Sequence, residues 1–204
     1  GNGIEKVESV KYLGVIVDSN LRMNGHTNHL VKKISQSMNA MNTIKKYLPT
    51  YSLMQFYNAF IGSHLFCNGF LMCRMNVTDI NRLQIIQNKA LKTAFGLERR
   101  YPTEKLYNEI AVNVLPVKGI AYLNLLLLIK KYILTNSEDF EVINDGRRKN
   151  QLKFIRFRNM LADDLVCLGP RVYNQLPLEI REIKSYNSFK RKLKIFLLEN
   201  KLIF

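Results

Sequence analysis

Three groups of residues in this chain are of types that could do chemistry. The pair Asp163-Asp164, within Leu161-Ala162-Asp163-Asp164-Leu165-Val166, has the form of adjacent carboxylates that hold two metal ions for phosphoryl transfer. Its surroundings follow a helical pattern, so a solvated carboxylate pair, or one at a helix N-terminus, is the plainer expectation. His64, Cys67 and Cys73 are zinc ligands by type, but a fourth ligand is lacking. They lie in or beside the apolar run 60–72, where Cys behaves as a small buried hydrophobe. His26 and His29 fall near a predicted helix start with no Cys or Ser partner in the local sequence, so a capping or surface role is expected for them. The glycines are scattered, with neither a Gly-x-x-x-x-Gly-Lys cradle nor a dinucleotide fingerprint, and nucleotide binding through a P-loop has no support.

The chemistry that the composition does support is electrostatic. Thirty-one Lys and Arg stand against 16 Asp and Glu, a formal charge of +15, and such an excess repels itself unless an anion neutralises it. Nucleic acid is the first candidate and an anionic membrane the second. The candidate phosphate contacts are Lys32, Lys33, Lys45, Lys46, Arg82, Lys89, Lys92, Arg99 and Arg100, with further basic clusters at Arg147-Arg148-Lys149 and Lys190-Arg191-Lys192. Tyr47, Tyr51 and Tyr101 stand beside some of them as sugar or base contacts. Any one cluster reads as a solvated face; the whole set points to an anionic partner.

These side chains need a scaffold, and the chain can build one. With 204 residues, 47% of them hydrophobic, it can bury a core in one domain or two small ones. Three unevenly spaced Cys do not make a disulfide framework, so an intracellular, reducing compartment, nucleus or cytoplasm, is expected. Residues 1–10 carry no signal-peptide pattern and read as the start of an excised piece. The apolar run 120–134 is broken by Asn124, Lys130 and Lys131 and falls short of the ~20 apolar residues of a span, so a buried helix and no membrane are expected.

Periodicity sets the elements. The stretch 10–18 is β-branched and aromatic, closes on Asp18-Ser19-Asn20, and predicts one strand. From His26, the positions Leu30, Ile34, Met38, Met41, Ile44 and Leu48 recur at helical spacing until Pro49. A second helix, capped by Thr50 or Ser52, runs to about Met72, and a third opens at Thr78 and Asp79 with Ile80, Leu83, Ile86, Ala90, Leu91 and Ala94 inward and stops near Gly96. A short helix from Thr103 leads through Pro116 to the helix 120–134. The polar stretch 135–153 loses the helical period and is expected to be a mobile connection. Beyond it come a basic stretch 153–158, turns at Gly169-Pro170 and Leu176-Pro177 that seat Val172, Tyr173 and Leu176, and a final helix from Ser185. The expected fold class is mainly α: an N-terminal β-strand remnant, a helical bundle and a smaller basic helical C-terminal part.

Three stretches carry a family resemblance. Val10-Lys11-Tyr12-Leu13-Gly14-Val15 to Asp18, with Leu21-Arg22-Met23-Asn24 and His26, resembles the segment after the catalytic palm motifs of jockey-like and related non-LTR retrotransposon reverse transcriptases. Leu83-Gln84-Ile85-Ile86-Gln87-Asn88-Lys89-Ala90 is similar to a helix of those proteins. Gly169-Pro170-Arg171-Val172-Tyr173-Asn174-Gln175-Leu176-Pro177, with Phe189-Lys190-Arg191-Lys192-Leu193, is similar to their C-terminal block. Where the family carries Trp, this chain has Met23 and Tyr173 and no Trp at all, the mark of a divergent copy.

The resemblance implies a division into a palm-end strand and turn remnant (1–25), a thumb-like helical bundle with following helices (26–135), a polar connector (136–153) and a basic C-terminal region (154–204). It implies nonspecific binding of a template-primer duplex (RNA, DNA or their hybrid) within an RNA-directed DNA polymerase whose palm and fingers are partners outside this piece. It also implies that Asp163-Asp164 is not the polymerase pair, since in the family that pair precedes the Tyr-Leu-Gly strand. Catalysis is therefore not expected of this fragment and no cofactor is expected in it, the Mg of the parent polymerase belonging to the palm. The alternative expectation is a helical interaction scaffold that docks on the palm or self-associates without binding nucleic acid.

Overall fold

The computed structural model describes residues 7–19, 23–135, 140–145, 148–154 and 165–200. Asp163-Asp164, Arg147, and residues 155–158 of the basic stretch lie outside them. The described chain is mainly helical, with two antiparallel hairpins, and divides into two compact units, 1–112 and 113–204. The grouping drawn from the sequence placed 26–135 together; the division instead leaves the apolar helix at 117–134 with the C-terminal residues, because it packs on helices that follow it.

In the first unit the predicted single strand is a hairpin, β1 (Ser9–Tyr12) paired with β2 (Val15–Asp18). Leu13 and Gly14 both take positive φ, 46° and 83°, which is what a two-residue type I′ connection requires. Leu-Gly lacks the usual Asn-Gly signal, which hid the turn. Helix α1 (Asn24–Ile44) follows, and its stripe Leu30, Ile34, Met38 and Met41 is buried as the spacing predicts. Leu48 lies beyond the helix end and is 40% exposed.

Helix α2 (Thr50–Tyr57) starts after Pro49 rather than from a Thr50 or Ser52 cap. It continues through a π-helical turn (Asn58–Gly62) into α3 (Ser63–Cys67) and α4 (Gly69–Met72). Asn68 stands at the break between these last two. Its Oδ1 lies 2.8 Å from Nε2 of the buried His26, while His26 Nδ1 accepts from the Ile16 N–H at 3.4 Å. With Nδ1 an acceptor, the ring proton sits on Nε2 and is donated to Asn68, so His26 pins the hairpin to the helices.

Helix α5 (Val77–Ala94) is capped by Asn76, two to three residues before the predicted opening, whose side chain accepts from the Asp79 N–H at 2.7 Å. Its inner face buries Leu83, Ala90, Leu91 and Ala94 as expected, and also Gln87, which is fully buried. Gly96 ends it at φ 65°. The short α6 (Thr103–Lys105) runs into a second π-helical turn (Leu106–Ile110) that buries Leu106 and Tyr107.

The second unit is built on α7 (Val117–Leu134), whose apolar residues on all sides suit a central helix. It packs against α8 (Leu165–Asn174) and α10 (Tyr186–Glu199). The stretch expected as a mobile connection carries a hairpin where it is described: β3 (Val142–Asp145) pairs with β4 (Arg148–Leu152), Phe140 and Leu152 are buried, and Lys153 pairs with Glu141 at 2.7 Å. Phe140 and Leu152 are the apolar anchors of a stretch that reads as polar. Gly169-Pro170 lie inside α8 rather than at a turn, and the missing Cβ of Gly169 matters because a methyl there would meet Ile129 at 3.0 Å and Phe140 at 3.3 Å. Val172, Tyr173 and Leu176 are nevertheless buried as expected. After α9 (Leu178–Arg181), Ser185 caps α10, whose Phe189, Leu193 and Leu197 face inward while Lys190, Arg191, Lys192 and Lys194 are exposed. The buried Lys130 donates to the Arg181 carbonyl at 3.1 Å beneath the Phe189 ring, and burial holds its ammonium below the ordinary lysine value.

Candidate nucleic-acid interface

Four of the nine predicted phosphate contacts meet in one groove of the first unit. Lys45, at the end of α1, faces Lys89 and Lys92 of α5, and Arg99 closes the side. Two helices that pack along each other place cations 44 and 47 residues apart in sequence on one concave surface. The groove holds ≈ 670 Å³. Met38, Ile85 and Leu97 give it an apolar floor, while Asn42, Asn88, Thr93 and Thr103 add neutral polar groups. Among the described residues, no Asp or Glu lines it. A second hollow of ≈ 400 Å³ shares Lys45, Lys92, Thr93 and Leu97 with it and adds Lys46. The two therefore extend one basic track.

The remaining candidates lie elsewhere. Lys32 and Lys33 are exposed on α1, twelve or thirteen residues before Lys45 and so ~20 Å back along the helix axis. Lys33 stands close enough to His29 and His64 to help lower the basicity of both, after burial as the larger cause. Arg82 is drawn to Asp79 at 3.0 Å, which cancels its charge locally. Arg100 is exposed beside Arg99 and does not line the groove. Tyr47 and Tyr51 are 82% and 73% exposed, and Tyr51 accepts a hydrogen bond from Gln55 at 3.0 Å.

One wall of the groove is backed by a polar network that hydrophobic periodicity does not register. Gln87 Nε2 donates to the Tyr57 hydroxyl at 3.0 Å, and the Tyr107 hydroxyl donates toward Gln87 Oε1 at 3.0 Å and Asn88 Oδ1 at 2.9 Å. Gln84 Nε2 reaches the Tyr107 hydroxyl at 2.8 Å and Asn88 Oδ1 at 2.7 Å. Burial pushes both phenols up, Tyr57 to about 12 and Tyr107 further, so both stay protonated. The Gln84-Ile85-Ile86-Gln87-Asn88 string, notable in the sequence only for its resemblance, thus supplies a half-buried amide cluster centred on the buried Gln87. Its one warning was two Gln and an Asn at helical spacing with Tyr on neighbouring elements.

The residues weighed for metal chemistry lie on α3 and just past the end of α4. His64 is on α3, Cys67 is exposed at its end, and burial pushes the Cys73 thiol up to about 12. Among the described residues, no three His, Cys, Asp or Glu side chains form a group able to hold a metal ion, and no helix is long and apolar enough to cross a membrane. No family model, no curated protein and no solved structure matches the chain.

Proposed function

We propose that this chain grips the sugar-phosphate backbone of a template-primer nucleic-acid duplex without reading its sequence. In this reading it is the non-catalytic thumb and C-terminal part of a non-LTR retrotransposon reverse transcriptase, working inside the cell beside the palm and fingers of its parent. The observation that carries the proposal is the groove lined by Lys45, Lys89, Lys92 and Arg99 with no carboxylate among the described lining residues. Flexible cations on a concave surface meet phosphates and release their counterions, an interaction indifferent to base identity. The net charge of +15 and the order of the three family-like stretches support the same reading.

The test is a binding titration against a duplex oligonucleotide over a range of salt concentrations. The wild-type chain should bind at low salt and weaken steeply as salt rises. Changing Lys45, Lys89, Lys92 and Arg99 together to Gln should flatten the logarithmic salt slope by roughly three to four, at about 0.9 for each phosphate that the variant no longer neutralises. Changing Lys32 and Arg100 to Gln should alter it less. Indifference to nucleic acid at low salt, with concentration-dependent self-association, would sink the proposal in favour of an interaction scaffold.

A further inference from the structure

We infer that Asn88 is a neutral donor to a phosphodiester oxygen, held in position by the largely buried Tyr107-Gln84-Gln87 network, so that the groove has a component of binding that salt does not screen. The inference rests on the nucleic-acid reading above and specifies how that groove meets its ligand.

A carboxamide presents an acceptor at one end and two donors at the other, and its function depends on which end is turned outward. Asn88 lines the groove, but its Oδ1 is taken from inside by the Tyr107 hydroxyl at 2.9 Å and Gln84 Nε2 at 2.7 Å. Flipping the amide would bring its amino group against the amino group of Gln84, donor against donor. The oxygen is therefore locked inward, and the Nδ2 end is the one left toward the groove.

The lock is itself held. The Tyr107 hydroxyl accepts from Gln84 at 2.8 Å, and Gln87 ties the cluster to Tyr57 on α2 at 3.0 Å. The network therefore joins α2, the middle of α5 and the turn after α6. The charged lining groups are Lys45, Lys89, Lys92 and Arg99, which can only donate. A surface that offers donors, one of them fixed and uncharged, suits an acceptor-rich anion whose oxygens recur along a chain. The lysines meet it through long, screened side chains that lose rotamer freedom when they bind; Asn88 is short and already positioned.

The measurement is the salt-dependent duplex titration with single variants. Asn88→Ala should bind roughly tenfold more weakly at every salt concentration with the slope unchanged, the cost of one hydrogen bond to a charged group. Lys89→Gln should instead reduce the slope by about 0.9. Tyr107→Phe keeps the ring but removes one of the two donors that hold the amide oxygen, and should weaken binding roughly threefold with an unchanged slope although Tyr107 touches no ligand. Thermal melting and circular dichroism check that each variant is folded, and Asn88→Ala decides alone if Tyr107→Phe is not. Wild-type affinity in Asn88→Ala, or a slope that falls with it, overturns the inference and leaves the nucleic-acid reading standing. A wild-type chain that ignores the duplex overturns both.

Discussion

The carboxamide of Asn174 brackets the backbone of Leu152, its Oδ1 accepting from the Leu152 N–H at 2.8 Å and its Nδ2 donating to the Leu152 carbonyl at 2.9 Å. One side chain of α8 thus does for the outer edge of β4 what another strand would do, and Arg181 extends the cover by donating to the Lys149 carbonyl at 2.6 Å. Bare strand edges invite pairing with other chains, and here side chains occupy part of one.

Asn174→Ala should strip both partners from Leu152, a buried residue, and cost the second unit about 1–3 kcal/mol. Urea unfolding measures the loss, and amide exchange locates it: the Leu152 amide should exchange faster while amides in α7 change little. Unaltered exchange at Leu152 would show that the bracket contributes nothing.

Alkaline pH should loosen the first unit through its buried phenols. Tyr57 ionises near 10.0 when unfolded and at about 12 when folded, so its raised value contributes stability that is fully present below pH 10 and lost as pH climbs through 12. The amount is roughly 2–3 kcal/mol. In Tyr57→Phe, stability followed by denaturant unfolding should fall less between pH 10 and 12 than in the wild type. Parallel curves would refute this assignment.

Lys33 links His29 and His64 electrostatically. Burial is the larger cause that lowers His29 and His64, and the Lys33 charge adds to it in both. Lys33→Gln should raise both histidines toward the ordinary value, seen as a shift of their ring-proton titrations by NMR. A depressed histidine gives stability that is present above its unfolded value of 6.5 and lost as pH falls from there through the lowered folded value, so the variant should also lose slightly less stability on acidification. Titrations that stay where they are would place Lys33 away from both rings.

The helices were legible because a one-dimensional pattern maps directly onto a helical face. Leu30, Ile34, Met38 and Met41 repeat at the spacing that lines one side of α1, and Pro49 and Gly96 mark ends by restricting or permitting the backbone. The hairpins were less so: Leu13-Gly14 is an uncommon type I′ pair, and the strands at 142–152 hold only short apolar anchors in a polar stretch. The candidate site was half readable. Its cations could be named one by one, since charge is a property of residue type, but nothing in the local pattern separates Lys45, which lines the groove, from Lys32, which does not.

Sequence alone therefore settled the helical class, the inward stripes and the excess of positive charge, all of which depend on residue type and near-neighbour spacing. Only the tertiary structure decided which cations converge, that Gln84, Gln87 and Asn88 form a satisfied cluster with Tyr57 and Tyr107, and that Asn174 closes on Leu152. The long-range links among them join residues 19 to 54 positions apart. At such separations it is the packing of one helix on another, and not the chain's own periodicity, that sets which side chains come within hydrogen-bonding reach.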